Sequence, residues 1–291
     1  MPFPAQSVGL KLKSRTFDAA PRSILAYAAG IGANEPAYLD DAQAGGLRAL
    51  PFQCVSLEWP VLLSMRHAVE GVLSPQEASR GVHAVQDSTF HRPIRPGDRL
   101  VTDGQLVVAR PVRAGVLTVC RLDTTDRDSG EPVITTWTSS IYRDVVLEGE
   151  PVSIAEPEAV DPAHAAPPGP DALETRIHIP KEMPHVYSEC ASIWNPIHTE
   201  RAVALAAGLP DIILHGTATW ALAGLTILRR HARDDVGALR RLTGRFSGMV
   251  MPGEDIVVRH EREGDSVRFE FREGGAMGYE LLAVQRVGVA K

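Results

Sequence analysis

Three cysteines in 291 residues, Cys54, Cys120 and Cys190, stand far apart without paired spacing. That scarcity excludes a disulfide framework and a paired-cysteine zinc site, and a reducing compartment is expected. No apolar run approaches the 18 residues of a membrane-spanning helix, and the opening MPFPAQSVGLKLKSR lacks the apolar core of a signal peptide. A cytoplasmic protein with no membrane partner is therefore expected. Basic runs are missing too: 30 Lys and Arg against 36 Asp and Glu give a net charge of −6, and the cations are scattered, so no nucleic-acid partner is expected. What is present is apolar content, 44% of the chain, enough for one large core or two ordinary ones.

The chain repeats its own punctuation. FHRPIRPGD from Phe90 to Asp98 and FSGMVMPGE from Phe246 to Glu254 both place Pro-Gly-acid six residues after Phe, 156 residues apart. Upstream, Tyr27 leads to Asn34 as Tyr187 leads to Asn195, at offsets of 160 and 161. Each half then runs through the same series of elements. In the first, a helix is expected over 18–30 with Asp18 as its N-cap, then an apolar stretch over 53–72 interrupted by Pro60. Strands follow near 82–90, 99–109, 114–125 and 132–143. In the second, a short helix near 199–207 closes at Gly208 and a longer one covers 217–232. Strands are expected there near 239–249, 254–262, 265–272 and 278–287.

A long helix followed by antiparallel strands is an α+β pattern in which the sheet wraps the helix, the hot-dog arrangement. The expected organisation is a tandem hot-dog: a domain over 1–149, a Pro- and Ala-rich linker over 150–171, and a second domain over 172–291. Duplicated halves are expected to pack on each other.

Unusual polar residues in apolar surroundings concentrate in one stretch, Tyr187-Ser-Glu-Cys-Ala-Ser-Ile-Trp-Asn-Pro-Ile-His198-Thr199, followed by Ile213-Leu214-His215-Gly216. Asn195-Pro-Ile-His198, a small-residue helix and Ile213-Leu-His-Gly216 resemble the motifs of the MaoC-like dehydratase and (R)-specific enoyl-CoA hydratase family. The resemblance covers the second half directly and the first only through the repeat. It implies reversible hydration of an enoyl-CoA thioester, with coenzyme A as part of the substrate and no metal or other cofactor.

Adding water to a conjugated thioester needs a base for the water, a proton for the α-carbon, and a donor to the carbonyl oxygen where enolate charge develops. The resemblance makes His198 the base and the Gly216 amide, at a helix start, the oxygen donor. One position departs from the family: the usual Asp aligns with Ile193, which can neither give nor take a proton. Glu189 is the nearest carboxylate, and on a strand its even spacing would share a face with Ile193, so it is the candidate substitute. Asn195, His215 and Trp194 are candidates to border the substrate, Asn195 with an alternative role as helix cap and Trp194 chiefly by packing.

In the first half Ala37 or Tyr38 occupies the place of His198, so that half is expected to shape a pocket rather than react. The leading substrate class is a short branched or dicarboxylic acyl-CoA, with acyl-CoA thioester hydrolysis or a silent acyl-binding subunit as alternatives. By family analogy the double units are expected to form a homodimer.

Overall fold

The computed structural model describes residues 2–70, 73–74, 78, 80–158, 166–273 and 281–287. It divides into two compact units, one formed by 1–17, 57–91 and 99–159, the other by 18–56, 92–98 and 160–291.

The first unit carries β1 (Phe3–Pro4), β2 (Arg15–Asp18) and most of α3 (Cys54–Glu70). Its long strands are β3 (Gly81–Phe90), β4 (Arg99–Val112), β5 (Gly115–Asp126) and β6 (Pro132–Arg143). They run in the order β2-β4-β5-β6-β3, with β4, β5, β6 and β3 antiparallel. Short β7 (Leu147–Glu148) pairs with β1, and β8 (Val152–Ser153) pairs with β4. Val61 and Met65 of α3 pack on Leu106, Val116, Cys120 and Leu122 to form the core. Pro60 lies inside α3 rather than interrupting it. Proline in a helix forfeits one backbone hydrogen bond, and burial of Leu57, Val61 and Met65 offsets that loss.

The second unit has the same plan. Its strands are β9 (Leu173–His178), β10 (Leu239–Phe246), β11 (Asp255–Glu263), β12 (Ser266–Glu273) and β13 (Leu281–Val287), in the order β10-β13-β12-β11-β9. First strand beside third, then fourth, fifth and second is the order of the first unit too, so the repeat holds in topology. Its helices include α1 (Pro21–Gly30), α2 (Pro36–Leu39), α4 (Met183–Ala191), α5 (Arg201–Ala206) and α6 (Gly216–His231). Every residue of α6 from Ala218 to Leu228 is buried, as expected of a helix apolar on all sides. The two Pro-Gly-acid turns also match: Gly97 and Gly253 sit at φ 89° and 91°, where a side chain is strained.

Asp18 does not cap α1. The cap position belongs to Ala20 with Pro21 opening the helix, since proline's fixed φ suits a first turn whose amides have no helical partner. α1 and α4 pack together, and residues at equivalent repeat positions touch. The Tyr27 and Tyr187 rings meet edge-on at 6.1 Å, and a Cβ on Gly30 would lie 2.6 Å from Cys190 Cβ.

Close packing of α6 gives a direct test. Phe52 is fully buried, its ring set edge-on to Trp220 at 6.0 Å, and a Cβ on Gly224 would overlap that ring. Gly224→Ala is expected to cost about 1–3 kcal/mol by overpacking, despite alanine's better helix propensity. Urea denaturation measures it, and relief of the loss by Phe52→Leu in the double variant identifies the clash as the cause. Among the described residues, no helix is long and apolar enough to cross a membrane, and no group of three or more His, Cys, Asp or Glu is placed to hold a metal ion.

Candidate active site

The stretch from Tyr187 to His198 is a helix end, a short loop and a 3-10 turn. α4 closes at Ser192, in the left-handed region at φ 56°, with the Ile193 amide donating to Ser188 O at 3.0 Å. The next turn, Pro196–His198, opens on proline, and the His198 amide donates to Asn195 O at 3.0 Å. Asn195 holds the cap position without a side-chain cap bond, leaving its amide group half-buried and uncommitted to the turn.

His198 is 9% exposed. Its Nδ1 lies 2.8 Å from Ile213 O, and a carbonyl only accepts, so Nδ1 carries the hydrogen and Nε2 presents a lone pair. Burial pulls its pKa down to about 4, against the bond to Ile213 O that favours the charged form. The ring is therefore neutral at pH 7, with its basic nitrogen available.

His215 stacks on His198, with centroids 3.8 Å apart and planes at 25°. Its Nε2 lies 3.1 Å from Ser188 Oγ and 3.3 Å from Ile193 O, which assigns the hydrogen to Nε2. Burial, then the neighbouring His198, holds its pKa near 2, so the stack keeps both imidazoles uncharged. The buried Nδ1 has no hydrogen-bond partner among the described residues. A buried acceptor left unmet costs about 1–3 kcal/mol, so this nitrogen is a ready acceptor for a donor placed beside it.

His215 is also the N-cap of α6, and the Ala218 and Thr219 amides close the first turn by donating back to His215 O. The preceding Gly216 and Thr217 amides belong to the first turn, where a helix leaves N–H groups free and its dipole favours negative charge. Phe246 explains the glycine independently: a Cβ at 216 would sit 3.2 Å from its Cδ1. Tyr187 steadies this turn, donating from its hydroxyl to Thr217 Oγ1 at 3.2 Å with its ring 5.0 Å from His215. Ser188, Tyr187, Thr217 and Phe246 thus join the site, although the sequence names none of them as a site candidate; Tyr187 and Phe246 stand out there only as anchors of the repeat.

Glu189 does not join it. Residues 183–191 form a helix, so the strand spacing that would align Glu189 with Ile193 does not apply. Its exposed carboxylate accepts from Trp194 Nε1 at 2.9 Å, and Trp194 is itself 57% exposed. Ile193 is buried at 4% exposure and contributes only its carbonyl, to His215.

Known proteins share sequence segments and the fold with this chain. Residues 168–282 match the MaoC-like domain family, and residues 6–136 match the FAS1-like dehydratase region. Peroxisomal enoyl-CoA hydratase 2 of Arabidopsis thaliana is 34% identical over 77 residues, 26% of this chain and 25% of its own. Peroxisomal multifunctional enzyme type 2 of Mus musculus is 31% identical over 77 residues, 26% of this chain and 10% of its own. The chain thus spans a quarter or less of the length of these curated relatives. Among solved structures, a MaoC-like dehydratase from Phytophthora capsici superposes with a TM-score of 0.82 at 19% identity, covering 99% of this chain and 98% of that one. A conserved Mycobacterium tuberculosis protein described as a double hotdog fold gives 0.60 at 14% identity, with 96% and 95% covered. At these identities the structural likeness speaks for the fold, a double hot-dog.

Proposed function

We propose, for a chain whose residues 168–282 belong to the MaoC-like domain family, reversible hydration and dehydration of an acyl-CoA thioester at His198 and Gly216. The observation that carries this reading is the buried, neutral His198 with its hydrogen fixed on Nδ1, next to the start of α6, where helix geometry leaves the first amides without an intrahelical partner. Short branched and dicarboxylic enoyl-CoA thioesters are the finer substrate proposal.

In the hydration direction, Nε2 of His198 takes a proton from water as the water oxygen bonds to the β-carbon. The π electrons move onto the thioester oxygen, where the Gly216 amide stabilises the enolate. The imidazolium then returns a proton to the α-carbon, so one water is consumed and the base is restored. With Ile193 in place of a carboxylate, the same imidazole performs both transfers. An imidazolium of low pKa is a strong acid, which suits the second step.

Ile193 also motivates a second reading, an acyl-binding subunit without turnover. Ultraviolet absorbance separates the two: linear, branched and dicarboxylic 2-enoyl-CoA thioesters lose their conjugated band if the protein hydrates them. Binding of the panel without any absorbance change overturns the hydratase reading and supports the silent one.

A further inference from the structure

Besides the histidine stack, the second unit holds a cavity of about 610 Å³, a volume in the range of small-molecule sites, and neither His198, His215 nor Gly216 lines it. α6 supplies one wall. Leu222, Leu225, Thr226, Arg229 and Arg230 recur at the three- and four-residue spacing that places side chains on one helix face. At about 1.5 Å per residue, Arg230 stands roughly 21 Å along α6 from Gly216. Ile177 of β9 and Met183 and Val186 of α4 extend the aliphatic lining.

The charged lining is unbalanced, with the guanidinium groups of Arg176, Arg229 and Arg230 against the single carboxylate of Glu182. Arg176 already pairs with Asp255 and Arg229 with Glu35. Arg230 is exposed at the last turn of α6 and has no hydrogen-bond or ion-pair partner among the described residues. No Phe, Tyr or Trp lines the cavity, so it offers no stacking surface to a nucleobase. Aliphatic walls beside an uncommitted guanidinium match a ligand with a hydrocarbon tail and an anionic head.

We propose that this cavity is a second binding site, for an unbranched aliphatic carboxylate, with its tail against Leu222 and Leu225 and its carboxylate on Arg230. The assignment is independent of the reaction proposed at His198. Isothermal titration of the whole chain with dodecanoate tests it, using wild type, His198→Ala, Arg230→Glu and Arg230→Lys. The expected result is one site per chain, unchanged by His198→Ala, weakened at least tenfold by Arg230→Glu and partly restored by Arg230→Lys. Because Arg230 is exposed, these variants are expected to fold, and circular dichroism checks that they do. Absence of binding, loss of binding in His198→Ala, unchanged affinity in Arg230→Glu, or displacement of dodecanoate by adenosine 3′,5′-bisphosphate would each overturn the proposal.

Discussion

Replacing His198 with Ala is expected to lower turnover of a 2-enoyl-CoA substrate by about 10²- to 10⁴-fold, the usual contribution of a positioned acid or base. That corresponds to roughly 3–5 kcal/mol of barrier. The upper part of the range is favoured because one imidazole serves both proton transfers and no carboxylate stands at Ile193 to take over either. KM is expected to change little, since the ring's loss removes a reacting group rather than a binding surface. Stopped-flow absorbance of wild type and variant gives both parameters.

The pH profile supplies an independent check. A base with a pKa near 4 keeps its lone pair down to mildly acidic conditions, so kcat/KM should stay level from pH 8 to about 5 and fall only below that. An acid limb near 6.5 would mean that His198 is hydrated and ordinary, contrary to its burial.

Acidification is expected to destabilise the fold well before most carboxylates titrate. Burial also lowers the pKa of His260 to about 4; this fully buried ring shares a hydrogen bond of 2.8 Å between its Nδ1 and His231 Nε2 and contacts Thr175 Oγ1 at 3.1 Å. In the unfolded chain a histidine titrates near 6.5. Above that value both states are neutral and the full stability is present. Below it the unfolded chain takes up protons that folded His198, His215 and His260 refuse, so stability falls as pH drops.

Each group contributes a loss of about 1.4 kcal/mol per pH unit, or about 3 kcal/mol for His198 or His260 by pH 4. Urea midpoints between pH 8 and 4.5 should therefore decline steeply below 6.5. His260→Asn should flatten the decline by about one proton's worth. A flat profile across this window would contradict the buried neutral state of these rings.

The long elements of both units were legible because period and punctuation agree in them. β3, β5 and β6 start or end within a residue or two of the expected spans, and α6 begins at Gly216 where the Leu-His-Gly motif ends. Legibility failed where two local rules competed. Asp18 is a good cap residue, yet Pro21 sets the helix start three residues later. Strand alternation sets Glu189 on the face of Ile193, although its repeat partner region, Pro21–Gly30, has helical periodicity and implies a helix at 183–191 as well. Followed through, that symmetry would have turned Glu189 outward and brought Ser188 inward. The His198 and His215 stack was not legible, because the two rings stand 17 positions apart with a separate helix between them and only the folded chain closes the gap.

The contact between α1 and α4 has a consequence for what covalent joining permits. In an assembly of two identical chains, a residue on the symmetry axis must face a copy of itself, so any change there is made twice. Cysteine on both sides would crowd, and glycine on both sides would leave a gap. Here the two sides are encoded separately, and Gly30 receives Cys190 as a hollow receives a knob. Duplication on one chain thereby frees this contact from self-complementarity, and the two helices can diverge in shape where they meet.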